Sequence, residues 1–263
     1  MARLRTIAID WSGRAKRAQR YIWAAEAEGG QLVSLERDKS REQIGDWLMR
    51  QRAEGGPVII GLDFAFSMPE WFLARERVGG GSELWQRVAA DGERWLSECS
   101  APFWGKPGKK KVGDGPWLRE TDALAVSGGI GAKSVFQIGG AGAVGTGSIR
   151  GMPLLHRLRK AGWAIWPFDP PGSRTVVEIY PRLLTGAVTK SRLDCRERYL
   201  SACYPALNEE WKTLAASSED AFDAAVSALR MEQHATELRQ LPTISDKTLR
   251  REGLIWMPGL FRA

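Results

Sequence analysis

A continuous apolar run at residues 57–62, PVIIGL, restricts the fold of this sequence more than any other segment. Runs of this kind are typical of parallel strands, because helices cover such strands on both faces. The run ends in Asp63 and follows a segment whose start, Ser40-Arg41-Glu42-Gln43, fits the capping box of a helix. We therefore predict a crossover helix, ending near Gly55-Gly56, that places this strand parallel to an earlier one.

The earlier strand is predicted at Arg5–Asp10, and two further strands at 21–26 and 31–36 complete a three-strand meander. Asp10 and Asp63 then both end adjacent parallel strands, where open α/β sheets bind their ligands. Two carboxylates are expected to converge there.

We interpret the rest of the chain as one domain over 1–263, with an insertion of short helices, a basic loop and a glycine-rich stretch at about 64–161. The sheet is expected to resume at 163–168 and 175–180. The predicted helices are 69–77, 82–98, 191–203, 208–214 and 218–237.

Composition limits the classes of protein to consider. The chain has 263 residues and three cysteines without C-x-x-C spacing, which argues against a zinc site or a disulfide framework. It has no apolar run of about 18 residues, so we expect a soluble, cytoplasmic protein that does not enter a membrane. The formal net charge of +7 favours an acidic partner such as nucleic acid, although compositional bias alone can also produce it.

Further carboxylates occur late in the chain. Glu178 lies in the apolar string VVEIY, where a carboxylate needs a metal ion or a salt bridge, for which Arg182 is the nearby candidate. In the helix at 218–237, Asp223 borders the apolar face, whereas Asp220 points further round and could instead complete a capping box with Ser217. The alanines of this helix would let it approach the sheet closely. Asp10 and Asp63 could likewise be ordinary turn residues at strand ends.

The strings IDWSG, GLDFAFSMP, VEIYPR, SSEDAFDAAVSAL and EGLIWMP, in this order, resemble the domain-of-unknown-function 429 family of predicted nucleases over nearly the whole chain. The resemblance implies a ribonuclease H-like three-layer α/β fold, with a mixed five-stranded central sheet flanked by helices. It implies acidic ligands on the first strand, the fourth strand and the last helix, which Asp10, Asp63 and Asp223 match. Glu178, in the motif E-x-Y-P, would be a fourth acidic group, and Asp220 is a further candidate.

Two other segments have more than one interpretation. Lys106 and the lysines at 109–111 lie between Trp104 and Trp117 and could contact nucleic acid, but a solvated surface loop is favoured. Residues 140–145 fit the dinucleotide-binding pattern G-x-G-x-x-G. Glycines and Pro153 follow where a phosphate-binding helix should run, which favours a flexible loop over the acidic site.

These features predict a metal-dependent nuclease, a hydrolase that uses Mg²⁺ or Mn²⁺. Asp10 would bridge two ions, Asp63 and Asp223 would complete their coordination with Asp220 as a further ligand, and Glu178 would bind metal or orient water. The candidates for substrate binding are Trp11, Lys133, Ser134, Arg150 and Arg182. The alternatives are an actin-like phosphotransferase that uses a nucleotide and a non-catalytic nucleic-acid-binding module; DNA, RNA and small phosphoesters all remain open as substrates.

Overall fold

A mixed six-stranded sheet forms the centre of the protein, whose computed structural model describes residues 3–127, 130–140 and 142–261. The sheet order is β3-β2-β1-β4-β8-β7; β2 is antiparallel to β1 and β3, and β1, β4, β8 and β7 are parallel. A separate pair consists of β5 and β6. The strands are β1 (Arg5–Asp10), β2 (Trp23–Glu28), β3 (Gln31–Arg37), β4 (Val58–Leu62), β5 (Val126–Ser127), β6 (Ile130–Gly131), β7 (Ala164–Ile165) and β8 (Arg174–Glu178).

Helices cover both faces of this sheet, and a short 3-10 helix lies at Ala18–Tyr21. The α-helices are α1 (Arg41–Met49), α2 (Glu70–Glu76), α3 (Ser82–Glu98), α4 (Glu120–Leu124), α5 (Gly145–Lys160), α6 (Pro181–Thr185), α7 (Leu193–Cys203), α8 (Glu209–Ala216), α9 (Glu219–Gln233), α10 (Ala235–Arg239) and α11 (Lys247–Glu252). Within the described ranges, no helix is long and apolar enough to cross a membrane.

The predicted meander and crossover are confirmed. Ser40 caps α1 through the expected reciprocal bonds with Gln43, and α1 connects β3 to β4, which lies parallel to β1. However, α1 ends at Met49, before Gly55-Gly56. The five-stranded sheet that the family resemblance implied is wrong. The strand predicted at 163–168 is present only as the two-residue strand β7, which pairs with β8 at the sheet edge and is the sixth strand.

Side-chain alternation along the strands divides the core between the two faces. Ile7 and Ile9 of β1 pack on the layer formed by α1, α3 and α5, whereas Ala8 packs on the layer that contains α9. In β4, Ile60 and Leu62 face the first layer and Ile59 faces the second. The alternation therefore decides on which face each strand-end carboxylate emerges.

Helix α9 packs closely on the sheet, as its alanines predicted. The Thr6 hydroxyl of β1 donates a hydrogen bond of 2.9 Å to the carbonyl oxygen of Ala228 in α9. A Cβ at Gly61 of β4 would lie 2.7 Å from the Met231 sulfur, so α9 approaches β4 closely at that point. Any carboxylate on the sheet-facing side of α9 is thus brought near the strands.

The glycine-rich stretch is only in part the loop that we expected, because residues 142–144 line the cavity without regular structure but a helix follows them. Helix α5 begins at Gly145 and continues through Pro153 to Lys160. Its glycines allow close packing, since a Cβ at Gly151 would lie 2.7 Å from the Phe64 ring. The dinucleotide pattern fails for another reason: residues 134–138 form a turn with an isolated bridge instead of a strand, and Ala141 lies outside the described residues.

Candidate functional site

Asp10 and Asp63 lie side by side at the carboxyl ends of β1 and β4. Ile9 pairs with Leu62, and the Asp63 amide donates a hydrogen bond of 3.1 Å to the carbonyl oxygen of Ile9. By strand alternation, both carboxylates emerge on the face covered by α9. The structure therefore forms the juxtaposition that the two apolar runs predicted.

Asp223 reaches the same place from α9. Its Oδ2 lies 2.5 Å from the Lys190 Nζ, and its Oδ1 is buried and has no hydrogen-bond partner in residues 3–127, 130–140 and 142–261. A buried carboxylate oxygen without a partner is costly, because it has lost its hydration. This oxygen is available to a cation or another hydrogen-bond donor.

The electrostatics show how the three carboxylates affect one another. Burial raises the pKa of Asp10 well above its ordinary value, and the negative charges of Asp63 and Asp223 raise it further. Burial and the Asp223 charge raise the pKa of Asp63 to about 7, although a hydrogen bond with Asp10 opposes the shift. Burial also raises the pKa of Asp223, against the lowering effect of Lys190. The cluster is therefore short of positive charge and tends to take up protons or cations.

The donor set is suited to a hard divalent ion, although the ligands are not arranged around one as they stand. In the part of the chain that the structure describes, no group of three or more His, Cys, Asp or Glu side chains is grouped so as to hold a metal ion. Carboxylate oxygens are the ligands that Mg²⁺ and Mn²⁺ prefer. The unpartnered Oδ1 of Asp223 and the raised pKa values of Asp10 and Asp63 fit such an ion, which would replace a proton and supply charge.

Glu178 is in a different situation, because alternation along β8 directs it to the opposite face of the sheet. It accepts bonds of 2.6 and 2.9 Å from the two terminal nitrogens of Arg119 and one of 2.8 Å from the Phe66 amide. The suggested partner Arg182 is wrong: Arg182 donates to the carbonyl oxygen of Val188. Both oxygens of Glu178 are thus engaged in holding the loop before α4 against β8.

A cavity of about 520 Å³ opens beside these carboxylates. Asp63 and Glu178 line it from the strand ends, and Asp220 lines it from the first turn of α9. The N-cap of α9 is Ser218, which accepts a bond from the Ala221 amide, so the expected capping box between Ser217 and Asp220 is wrong. Asp220 is thereby left facing the cavity.

The candidates for substrate binding divide into two groups. Trp11 and Lys133 line the cavity; Trp11 packs on Phe64 and is mostly buried, while the exposed Lys133 ammonium has no hydrogen-bond or ion-pair partner among the described residues. The others are held elsewhere. Ser134 donates to the carbonyl oxygen of Trp117, and Arg150 pairs with Glu93 at 2.7 Å and with the carbonyl oxygen of Gly13.

Three residues at the site were missed by sequence reasoning. Lys190 and Arg119 lie in loops where no pattern distinguishes them from surface cations. Tyr180 lines the cavity, and its pKa is raised by burial and by the charges of Asp63 and Asp223. Tyr180 could have been chosen, since it follows Glu178 in the E-x-Y-P string.

Comparisons with protein-family models, with curated proteins and with solved structures found no significant match to this chain.

Proposed function

We propose that this protein is a metal-dependent nuclease with a ribonuclease H-like fold. The observation that supports the proposal best is the convergence of Asp10, Asp63 and Asp223, from two adjacent parallel strands and a helix packed across them, beside a cavity that Asp63 lines. The strand order β3-β2-β1-β4-β8, with β2 antiparallel to β1, is compatible with that fold.

Asp10, Asp63 and Asp223 would hold a divalent ion, Mg²⁺ or Mn²⁺, through their carboxylate oxygens. When bound, such an ion lowers the pKa of a water molecule and stabilises negative charge on phosphoryl oxygens. Strands and a helix carry the three ligands, so their backbone positions are held before substrate binds, and their side chains would turn toward the ion. Asp220, further out in the cavity, lies where it could accept a hydrogen bond from water.

Positive groups at the same cavity suit a phosphate. The Lys133 ammonium has no partner among the residues that the structure describes, and Arg14 also lines the wall. The N-terminus of α5 contributes Val144 and Gly147 to the lining, and helix N-termini attract anions through their free amides and dipole. The substrate phosphate would therefore lie between the carboxylates and these cations.

A neighbouring depression extends the cavity in the direction of the basic loop. It shares Ala132 and Lys133 with the first cavity and is lined by Trp104, Lys111 and Trp117. The Lys111 ammonium lies 5.9 Å and 6.0 Å from the centres of the two indole rings. Exposed cations beside aromatic rings are what a flexible nucleic-acid strand contacts, so this depression supports a polymeric substrate.

The proposal is tested by incubating labelled single-stranded, double-stranded and branched DNA and RNA with Mn²⁺ or Mg²⁺. Wild type is compared with Asp10→Asn, Asp63→Asn and the control Asp91→Asn, a carboxylate on α3 that pairs with Arg87 and Arg94. We expect cleavage by wild type and the control but not by the site variants. Cleavage that persists in Asp10→Asn or in excess EDTA would contradict the proposal, as would the absence of cleavage throughout.

The start of α5 beside the carboxylates favours one alternative, a phosphotransferase that binds nucleotide phosphates at this helix. The observation that favours this alternative is that α5 follows glycines at 140 and 142 and that its first residues line the cavity. Metal-dependent conversion of ATP to ADP, lost in Asp10→Asn, would establish this activity. Unchanged nucleic-acid binding by Asp10→Asn without any turnover would instead indicate a binding module.

A further inference from the structure

A short loop between α6 and α7, residues 186–192, is fixed to the protein by two arginines. Arg182 Nη1 donates a bond of 2.6 Å to the carbonyl oxygen of Val188. Arg196, which is 6% exposed, donates to the carbonyl oxygen of Lys190 and, through Nε at 2.8 Å, to that of Ala216 just before α9. The loop is therefore held at a fixed position relative to the start of α9.

These two arginines hold the loop so that the Lys190 ammonium lies among the carboxylates of Asp10, Asp63 and Asp223. Nζ lies 2.5 Å from Asp223 Oδ2, and the two side chains are only 17% and 14% exposed. The Lys190 charge also acts on Asp10, Asp63 and Asp220. A surface ion pair would need neither the burial nor the two clamping arginines, so the position of Lys190 requires another explanation.

We propose that Lys190 is a built-in cation that takes the place of a second metal ion, so that the site binds a single divalent ion. The inference rests on the proposed metal site and replaces the two-ion arrangement expected from sequence. In the substrate complex, the ammonium would lie where two-metal sites hold their second ion. From there it would donate hydrogen bonds to a phosphoryl oxygen.

Charge balance supports a single ion. When ionised, the three carboxylates proposed as direct ligands, Asp10, Asp63 and Asp223, carry three negative charges, which one divalent ion and one ammonium neutralise; Asp220, which lines the cavity, adds a fourth charge outside this set. A second divalent ion beside Lys190 would leave excess positive charge in a site with little water to screen it. Asp223 Oδ2 is also occupied by Lys190, which leaves Oδ1 for the ion.

The test measures how many Mn²⁺ ions bind, by titration calorimetry and by electron paramagnetic resonance of free Mn²⁺, without substrate. The variants are Lys190→Gln, Lys190→Met and the charge-conserving Lys190→Arg. Lys212→Gln is the matched control, because Lys212 pairs with Glu209 at 2.8 Å on α8, away from the cluster. Circular dichroism checks that each variant is folded. The test needs only one of the two neutral variants, Lys190→Gln or Lys190→Met, to be folded.

We expect one Mn²⁺ per chain for wild type, Lys190→Arg and Lys212→Gln, and two for Lys190→Gln and Lys190→Met. Two ions in wild type, or an unchanged single ion in the neutral variants, would overturn the inference while leaving the metal site intact. No Mn²⁺ binding by wild type in the millimolar range would instead refute the proposed function itself. The two failures are therefore distinguishable.

Discussion

Arg119 and Glu178 form a two-pronged ion pair, with Nη2–Oε1 and Nη1–Oε2 distances of 2.6 and 2.9 Å, that is almost completely shielded from solvent. Arg119 also binds Asp122 and the carbonyl oxygen of Glu252. One guanidinium thus joins β8, α4 and the end of α11 at the wall of the cavity. The pair is part of the support of the site, and it explains why a carboxylate can be buried in β8.

Replacing Arg119 by methionine should destabilise the protein strongly. Removing one partner of a buried pair leaves an uncompensated charge, which costs about 3–5 kcal/mol. Denaturant unfolding of Arg119→Met measures the loss, and the double variant Arg119→Met/Glu178→Met should be less destabilised than Arg119→Met. The exposed Arg87, paired with Asp91, is the matched control; an equal loss in Arg87→Met would contradict this explanation.

Glu178→Gln and Asp10→Asn should differ in metal binding. Because Arg119 and the Phe66 amide occupy the Glu178 oxygens, we expect Glu178→Gln to lose stability but to keep its Mn²⁺ affinity within a few-fold. Asp10→Asn should lose at least tenfold in affinity. Calorimetric titration decides the matter, and equal losses in both variants would restore Glu178 as a ligand.

The stability of the metal-free protein should fall as the pH rises from about 4 to 7. The pKa of Asp63 is about 7 in the folded protein and 3.8 ordinarily, so in this window the native state retains a proton that the unfolded state has released. Each such proton lowers the free energy of unfolding by up to about 1.4 kcal/mol per pH unit.

The stabilisation that the Asp63 proton contributes is fully present below the pKa that Asp63 has in the unfolded state. It is lost as the pH rises through the folded-state pKa of about 7. Unfolding of wild type and Asp63→Asn in EDTA, from pH 4 to 8, tests this point. The difference between the free energies of unfolding of the two proteins should change between pH 4 and 7 and level off above pH 7. Parallel curves would show that Asp63 titrates normally.

Gly61→Ala should weaken both packing and metal binding. The added methyl would lie 2.7 Å from the Met231 sulfur and 3.0 Å from two Ile179 carbons, and overpacking of this kind costs about 1–3 kcal/mol. Either the Met231 side chain or α9 itself must move to accommodate the methyl, and a shift of α9 would move Asp223 relative to Asp10. Gly172→Ala is the control, since its Cβ would meet no atom within 4 Å. A Gly61→Ala protein as stable as this control would exclude the close approach.

Lys133→Gln should weaken binding of an anionic substrate without changing the chemical step. Its ammonium has no described partner, so its loss should raise KM several-fold, leave kcat nearly unchanged and reduce the salt dependence by about one phosphate contact. Lys109→Gln, in the exposed basic loop, serves as the comparison. A loss of kcat with unchanged KM would assign Lys133 a role in the reaction itself.

Local patterns were sufficient to predict the first half of the sheet. The capping box at Ser40, the apolar strand at 58–62 and the alternation in β1 are signals carried by neighbouring residues, and they place Asp10 beside Asp63. The alanines of α9 similarly indicated its contact with the sheet. These features depend on backbone pairing, which sequence periodicity reports directly.

Contacts between distant loops could not be predicted in the same way. Arg119 reaches Glu178 and Lys190 reaches Asp223 through tertiary packing, and nothing near either cation in the sequence distinguishes it from the other 36 lysines and arginines among the 38 present. The course of α5 was mispredicted for a related reason. Its glycines and Pro153 disfavour a helix locally, whereas packing on Phe64 and α3 stabilises it.

The position of Asp223 on α9 also determines when the carboxylate cluster can exist during synthesis. Asp10 and Asp63 leave the ribosome early, but their third partner and its lysine follow only after α5, β8 and α6 have been made. Until α9 docks on β1, Asp10 and Asp63 lack the third carboxylate of the cluster. Assembly of the cluster therefore reports completion of the sheet and its covering helix, so the ability to retain a cation would distinguish finished molecules from partly translated ones.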